Sequence, residues 1–299
     1  CRAVVLSRAD AAALDAADPL ADVRRRFVVG DPALIYLDGN SLGRLPAATP
    51  ARLAALVEGE WGERLIRSWN EGWLDAPARV GDLIAPLVGA AAGQVAVADS
   101  TTVTLYKLAG AALAATDRTV IVTDRGNFPT DRYVFDGLAE VRLVDSVDDV
   151  PAAIGADTAL VSLSHVDYRS GAIADMAVIN TAAHAAGALV LWDLSHSAGA
   201  IPVDLDGTRT DLAVGCTYKY LNGGPGAPAF LYVRRGLQGE LVPPIQGWFG
   251  QRDQFAMGPA FDPVDGIERF LSGTPNIVGL ACVEEGVGVL ADVGIAALR

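Results

Sequence analysis

Gly215-Cys-Thr-Tyr-Lys219-Tyr-Leu-Asn-Gly-Gly-Pro-Gly226 is the stretch on which the reading of the fold depends. The chain has 299 residues and only two lysines, and one of them stands here, between two tyrosines and ahead of a glycine-rich turn. Its surroundings are too apolar and too rich in glycine for an ordinary solvated lysine. Upstream, Ala188-Leu-Val-Leu-Trp-Asp193-Leu-Ser-His196 reads as a buried strand that ends in an acid. A carboxylate at the carboxyl end of such a strand lies where open α/β sheets bind ligands.

A strand-end Asp followed by a Lys in a Gly-rich loop is the pair that pyridoxal 5'-phosphate (PLP) requires. Lys219 would hold the cofactor as a Schiff base and, once released, move a proton at the substrate α-carbon. Asp193 would keep the pyridine nitrogen protonated, so that the ring can accept electrons. Alone, Asp193 reads as a cap for the next helix, and Lys219 downstream is what favours the cofactor. Gly223-Gly-Pro-Gly226 supplies a tight turn whose backbone can approach a ligand closely.

Working outward, short apolar runs alternate with Ala-rich helical stretches. Strands are expected at 94–99, 118–123, 141–144, 158–163, 188–192, 213–216 and 229–233, with helices over about 102–115 and 180–186. That alternation predicts an α/β fold with a mostly parallel or mixed sheet between helices. The first ninety or so residues differ: they carry Trp61, Trp69 and Trp73, a turn at Asp38-Gly-Asn-Ser-Leu-Gly43, and little strand character. The expected division is an N-terminal arm over 1–75, a large cofactor-binding domain over 76–270, and the start of a small C-terminal domain over 271–299. The last residues run into an Ala/Val-rich helical pattern at Arg299, so a longer chain is expected.

A hydrophobic content of 51% is enough for a deep core, while 36 acidic against 23 basic residues give a net charge of −13. That balance disfavours nucleic acid or an anionic membrane as the main partner. No apolar run reaches the ~18 residues of a membrane span and no leader pattern is visible, which leads to the expectation of a cytoplasmic protein. Cys1, Cys216 and Cys282 are odd in number and lack metal or disulfide spacing, so all three are expected to be reduced. Cys216 and Cys282 are expected to be packing residues. No metal is implied.

Asp99-Ser-Thr-Thr102 joins a strand to a helix, where Ser100, Thr101 and Thr102 would offer hydroxyls and N–H groups to a phosphate. Ordinary N-capping accounts for that segment equally well. Phe128 in Asn127-Phe-Pro-Thr-Asp131 could stack on the pyridine ring while Thr130 or Asp131 reaches its substituents; a plain Phe-Pro turn is the alternative. His196 could bond the phosphate or orient Asp193. His165 reads as a satisfied polar residue at a strand end and His184 as a bystander on a helix. Lys107, the second lysine, reads as a helix-face residue.

Taken together, Leu191-Trp-Asp-Leu-Ser-His-Ser-Ala-Gly199 and the run from Gly215 to Phe230 resemble the kynureninase family. Tyr36-Leu-Asp-Gly-Asn-Ser-Leu-Gly43, Ile66-Arg-Ser-Trp-Asn70 and Gly247-Trp-Phe-Gly250 are similar to further segments of that family, so the likeness runs from about residue 36 to 276. The Tyr-Lys-Tyr-Leu-Asn-Gly-Gly-Pro-Gly run is highly specific to it. The resemblance implies a PLP-dependent transferase-like fold of type I with a mixed seven-stranded sheet. It implies a homodimer with active sites shared between subunits, and a small C-terminal domain that is incomplete here. The implied reaction is hydrolysis of L-kynurenine, or its 3-hydroxy derivative, to anthranilate (or 3-hydroxyanthranilate) and L-alanine, in tryptophan catabolism.

Carried over by position, the resemblance makes Lys219 the Schiff-base lysine, Asp193 the pyridinium partner and Phe128 the stacking aromatic. Thr101, Thr102, Thr130, Asp131, Ser164 and His196 look like further cofactor contacts. Tyr218 looks like a phosphate contact that doubles as an acid/base group. Trp248 and Thr274 resemble cofactor contacts lent by the other subunit, and Trp69 and Ser41 resemble residues lining the substrate pocket. In the family an arginine near the C-terminus grips the substrate carboxylate, and this sequence ends before that region.

Three other readings compete. A class-V aminotransferase or cysteine desulfurase shares the fold, but desulfurases typically place His directly before the lysine, where this chain has Tyr218. A non-catalytic PLP-binding module fused to a DNA-binding unit would need a basic helix-turn-helix segment, and none is visible. A dinucleotide-dependent oxidoreductase would need Gly-x-Gly-x-x-Gly after the first strand, and that too is missing.

Overall fold

The computed structural model describes residues 6–299, so Cys1 lies outside the described residues. Seven short apolar runs form one sheet: β1 (Val95–Ala98), β2 (Val120–Asp124), β3 (Glu140–Val144), β4 (Thr158–Ser164), β5 (Leu189–Asp193), β6 (Leu212–Gly215) and β7 (Ala229–Val233). Their spatial order is β1-β7-β6-β5-β4-β2-β3. β7 runs antiparallel to both its neighbours, while the β6-β5-β4-β2-β3 pairs are parallel. β1 therefore points the same way as the parallel strands. The carboxyl ends of six strands share one edge.

The strands are continuous apolar runs because both faces of the sheet are covered. Alternate side chains point to opposite faces. Val95, Val97, Val161, Val190 and Trp192 join one core with the Ala76–Ile84 and Met176–Ala185 helices. Ala96, Leu160, Leu191, Leu212 and Val214 join another with the Thr101–Ala114 helix. Trp192, fully buried, donates its indole N–H to Asn180 Oδ1 at 2.8 Å, so the largest core side chain leaves no polar atom stranded. Asp211, also fully buried, is met by His184 Nε2 at 2.8 Å, by the Val190 N–H at 3.0 Å and by Arg234 at 2.9 Å. His184 thus ties a helix to the sheet, away from the carboxyl edge.

Before β1 the described chain forms helices, turns and one isolated bridge, Phe27 to Pro46, with no strand. The Thr49–Ala55 helix packs on the Ile277–Val293 helix, and Arg26 bonds Asp292 at 2.8 Å. In sequence, the segment 34–37 lies between Arg26 and the Thr49–Ala55 helix, and its Ile35 and Leu37 are 82% and 86% exposed. The Ala/Val-rich pattern near the end is the Ile277–Val293 helix, closed by Gly294 at φ +83° before a short turn of helix at Ile295–Leu298. Among the described residues no helix is long and apolar enough to cross a membrane.

Candidate active site

Because six strands end at one edge, the loops after β1, β2, β5 and β6 meet there, and four of them line one cavity of about 270 Å³. From β1 come Ser100, Thr101 and Thr102; from β2, Phe128, Thr130 and Asp131; from β5, Asp193, Ser195 and His196; from β6, Tyr218 and Lys219.

Lys219 is placed by its own loop. The Thr217 hydroxyl donates to Pro228 O at 2.6 Å, and the Gly223 N–H returns to Thr217 O at 2.8 Å. Asn222 adopts φ +56° and Gly226 φ +71°, conformations that close the turn; only the second is free of cost, as it lacks a Cβ. The N-terminal segment closes the other side: the Gly43 N–H donates to Tyr218 O at 2.8 Å. Here glycine is required by contact, since a Cβ on residue 43 would sit 2.1 Å from Lys219 O.

The Lys219 amine lies 2.9 Å from His196 Nε2, and 6.0 Å from the centroid of the Phe128 ring. Burial and the neighbouring Lys219 charge hold His196 below its ordinary pKa, against the opposing pull of Asp193 and of a hydrogen bond to the Asn40 backbone. A neutral imidazole can accept from the amine and leave Lys219 positioned toward the cavity. Asp193, the last residue of β5, is buried and accepts the Ser195 N–H on Oδ1 at 2.8 Å, which leaves Oδ2 for a ligand.

Asp131 is 3% exposed, and its Oδ2 has no hydrogen-bond partner. Burial, then the Asp193 charge, raises its pKa well above its ordinary value, with Lys219 acting in the opposite sense. A buried acceptor facing a polar cavity without a donor is costly unless a ligand supplies one. Tyr218 is pushed up to about 12, first by burial and then by Cys216, so its phenol keeps its proton at neutral pH and acts as a donor. The buried Cys216 thiol is also pushed up by burial, and Cys282 is half-buried, which fits packing roles for both.

Other predicted residues lie outside this cavity. Ser164 does not line it; its hydroxyl donates to Asn127 Oδ1 at 2.8 Å, which also accepts the Phe128 N–H at 2.8 Å. Ser164 thereby steadies the loop that carries the aromatic ring. Thr274 lines a second cavity of about 430 Å³ that shares Ser100, Thr101 and Tyr218 with the first. Trp248 packs edge-on against Phe249 with centroids 4.6 Å apart. Trp69 packs on Trp73 and Phe249 at 5.4 and 5.9 Å, one ring behind the second cavity. Ser41 sits on the exposed Asp38–Gly43 turn, whose Asn40 backbone reaches His196.

Lys107, expected on a helix face, lies on the buried one: it is 0% exposed, because the Thr101–Ala114 helix is buried along its sheet-facing side, and its amine bonds Asp99 Oδ2 at 2.9 Å. Burial pulls its pKa down, and Asp99 opposes this. His165 is not a fully satisfied polar residue, since its Nδ1 lacks a partner among the described residues. The sequence reading also passed over Asn127, Asn40 and Ser195. An Asn just before Phe-Pro was the available signal for the first, whereas the other two act through contacts with no sequence signature.

The cavity fits PLP. It offers one amine, one free carboxylate oxygen on a strand end, an aromatic ring at its wall, an unpartnered acid, and hydroxyls at the N-terminus of a 14-residue helix.

A family model for class-V aminotransferases matches residues 137–299. The kynureninase of Burkholderia pseudomallei is 50% identical over 98% of this chain and 73% of its own length. That of Pseudomonas fluorescens is 49% identical over the same shares. Among solved structures, a C-DES mutant with glycine covalently linked to its PLP cofactor superposes with a TM-score of 0.79 at 20% identity, over 91% of this chain and 75% of that one. This last likeness speaks to the fold, which is the type I architecture expected from the sequence. Half of all aligned positions are the same across nearly the whole chain, so this chain belongs to the kynureninase family.

Proposed function

We propose that the chain uses PLP to hydrolyse the Cβ–Cγ bond of L-kynurenine, or of its 3-hydroxy derivative, releasing anthranilate or 3-hydroxyanthranilate and L-alanine. The observation that carries this reading is the meeting of Lys219, Asp193 and Tyr218 in one cavity of a chain half identical to kynureninases. Bound PLP supplies an electron sink for the electron pair released when bonds near the substrate α-carbon break.

The chain's own residues supply the rest. Lys219 is the amine that would hold the cofactor and then carry a proton to and from the substrate. His196, 2.9 Å away and neutral, can accept a hydrogen bond from that amine and fix its direction. Asp193 Oδ2 would face the pyridine nitrogen, and Asp131, whose Oδ2 is buried without a partner, can hydrogen-bond a ring substituent. Phe128 would cover one ring face, and Thr101, Thr102 and Thr130 would grip the polar periphery. Tyr218 keeps its phenolic proton and so serves as a hydrogen-bond donor and acid, assisting water addition at the γ-carbonyl and collapse of the hydrate.

The same proposal includes the arm, large-domain and small-domain division at residues 75 and 270, a homodimer in which Trp248 and Thr274 serve the neighbouring site, and a cytoplasmic location. The uncovered Ile35 and Leu37 side chains support a partner surface on the arm.

The test is an absorbance spectrum of the purified protein with PLP, followed by addition of L-kynurenine while anthranilate fluorescence is recorded. A yellow protein that releases anthranilate, and loses both properties on Lys219→Ala, is the expected result. A yellow protein inert to kynurenine and to 3-hydroxykynurenine would overturn the substrate assignment and keep the cofactor.

A further inference from the structure

The second of the chain's two lysines also bears on the cofactor site. Lys107 lies two turns into the Thr101–Ala114 helix, fully buried, and its four-carbon stem runs back toward the start of that helix to reach Asp99 Oδ2 at 2.9 Å. Asp99 is the residue at which the chain leaves β1, immediately before the capping Ser100. It adopts φ +52°, a left-handed conformation that a residue with a side chain does not take freely. Its carbonyl stays in the sheet, accepting the Ala229 N–H at 2.9 Å. The turn is thus held at two points, by β7 through the backbone and by Lys107 through the side chain.

Asp99 also creates an electrostatic difficulty. Asp99 lines the 430 Å³ cavity that shares Ser100 and Thr101 with the cofactor cavity, and it directly precedes Ser100, so a negative charge stands close to hydroxyls and amides suited to an anion. Left uncompensated, it would repel a phosphate. A lysine buried beneath it cancels that charge without occupying the anion's place. Resting on the PLP reading above, we propose that Lys107 is a positioning residue for the cofactor phosphate. Through Asp99 it neutralises and holds the turn that presents Ser100, Thr101 and Thr102.

The distinguishing measurement compares PLP with pyridoxal, which lacks the phosphate, by absorbance titration of the full chain. Lys107→Met keeps the stem and removes the charge. It is expected to lower the preference for PLP over pyridoxal by about tenfold, as one unmasked unit of negative charge near the anion would. Asp99→Asn, which removes the negative charge while Lys107 remains, is expected to raise that preference. The double variant is expected to recover most of what Lys107→Met loses, since removing both partners of a buried pair costs less than removing one.

A pair that merely supports the fold would weaken both ligands together in every variant. Equal weakening of PLP and pyridoxal in Lys107→Met, or an unchanged preference, overturns the proposal. So does a fall in preference in Asp99→Asn, which remains informative if Lys107→Met does not fold. A wild-type chain that takes up neither compound would instead sink the cofactor reading itself.

Discussion

His165 gives the sharpest quantitative test of the structure. It follows β4, is 6% exposed, and meets the buried Trp192 ring edge-on at 6.0 Å. Burial alone lowers its pKa to about 4, from an ordinary 6.5. In the unfolded chain the imidazole takes up a proton as the pH falls through about 6.5, while the native one stays neutral until about 4. Between those values the unfolded state binds more protons, so stability falls as the pH falls; above about 6.5 the group contributes nothing. The gap between those values corresponds to about 3 kcal/mol in full, most of it present at pH ~4.5. His165→Phe keeps a flat ring against Trp192 and removes the titration. Urea unfolding of both proteins, at one fixed cofactor concentration and at pH ~7.5 and ~4.5, should show wild type losing about 2–3 kcal/mol more than the variant across that interval. Asp131 titrates in the opposite sense, but it is common to both proteins and cancels. Parallel pH dependences would show that the ring is hydrated or paired, and would refute its burial against Trp192.

Further outcomes follow from the cavity. Asp193→Asn should leave PLP bound but reduce kcat by at least about a hundredfold, because the ring nitrogen loses its charged partner; steady-state kinetics on the yellow protein checks this. Tyr218→Phe should cost about a hundredfold or more in kcat without moving either limb of the pH–rate profile below pH ~10, since a phenol pushed up to about 12 does not ionise there. A limb that disappears with the phenol would contradict its placement. Gly43→Ala would force a Cβ to within 2.1 Å of Lys219 O and 2.4 Å of Asn222 Oδ1, so the Lys219 loop must move. A cost of about 1–3 kcal/mol in stability, seen as a lower melting temperature, together with weaker cofactor absorbance is expected.

The sheet was legible because its strands are buried on both faces. Each is a short uninterrupted apolar run, and all seven expected runs coincide with strands to within a residue or two at each end, from Val95–Ala98 to Ala229–Val233. That same double burial hides which strand runs backward. β7 is as apolar as β5, and its antiparallel direction follows only from the connections at its ends. The helices were less legible for a related reason. In the Ala-rich Thr101–Ala114 helix the small side chains blur the 3.6-residue period, so nothing marked the side bearing Lys107 as the buried one.

The site divides along a physical line. Residues that would touch the cofactor directly were legible, because that chemistry demands particular side chains: an amine, an acid at a strand end, an aromatic ring, hydroxyls at a helix start. Nine of the predicted positions, from Thr101 to Lys219, line the one cavity beside Ser100 and Ser195, although they are up to 118 residues apart in sequence. Residues that act on those groups were not legible, since any donor or acceptor of suitable reach could serve. Ser164 illustrates the limit. Its hydroxyl meets Asn127, whose amide also bonds Thr123 at 3.0 Å and whose oxygen takes the Phe128 N–H. Three elements are thus joined through one buried amide, and the aromatic ring is held by a network rather than by its own contacts. Replacing Ser164 with Ala would remove one of the two donors at Asn127 Oδ1 and leave the Thr123 bond in place. Phe128 should then loosen while Asp193 and Lys219 stay fixed: cofactor affinity falls a few-fold, by the ~1 kcal/mol of one hydrogen bond, and the cofactor chromophore persists. Loss of the chromophore altogether in Ser164→Ala would mean that Ser164 touches the cofactor itself.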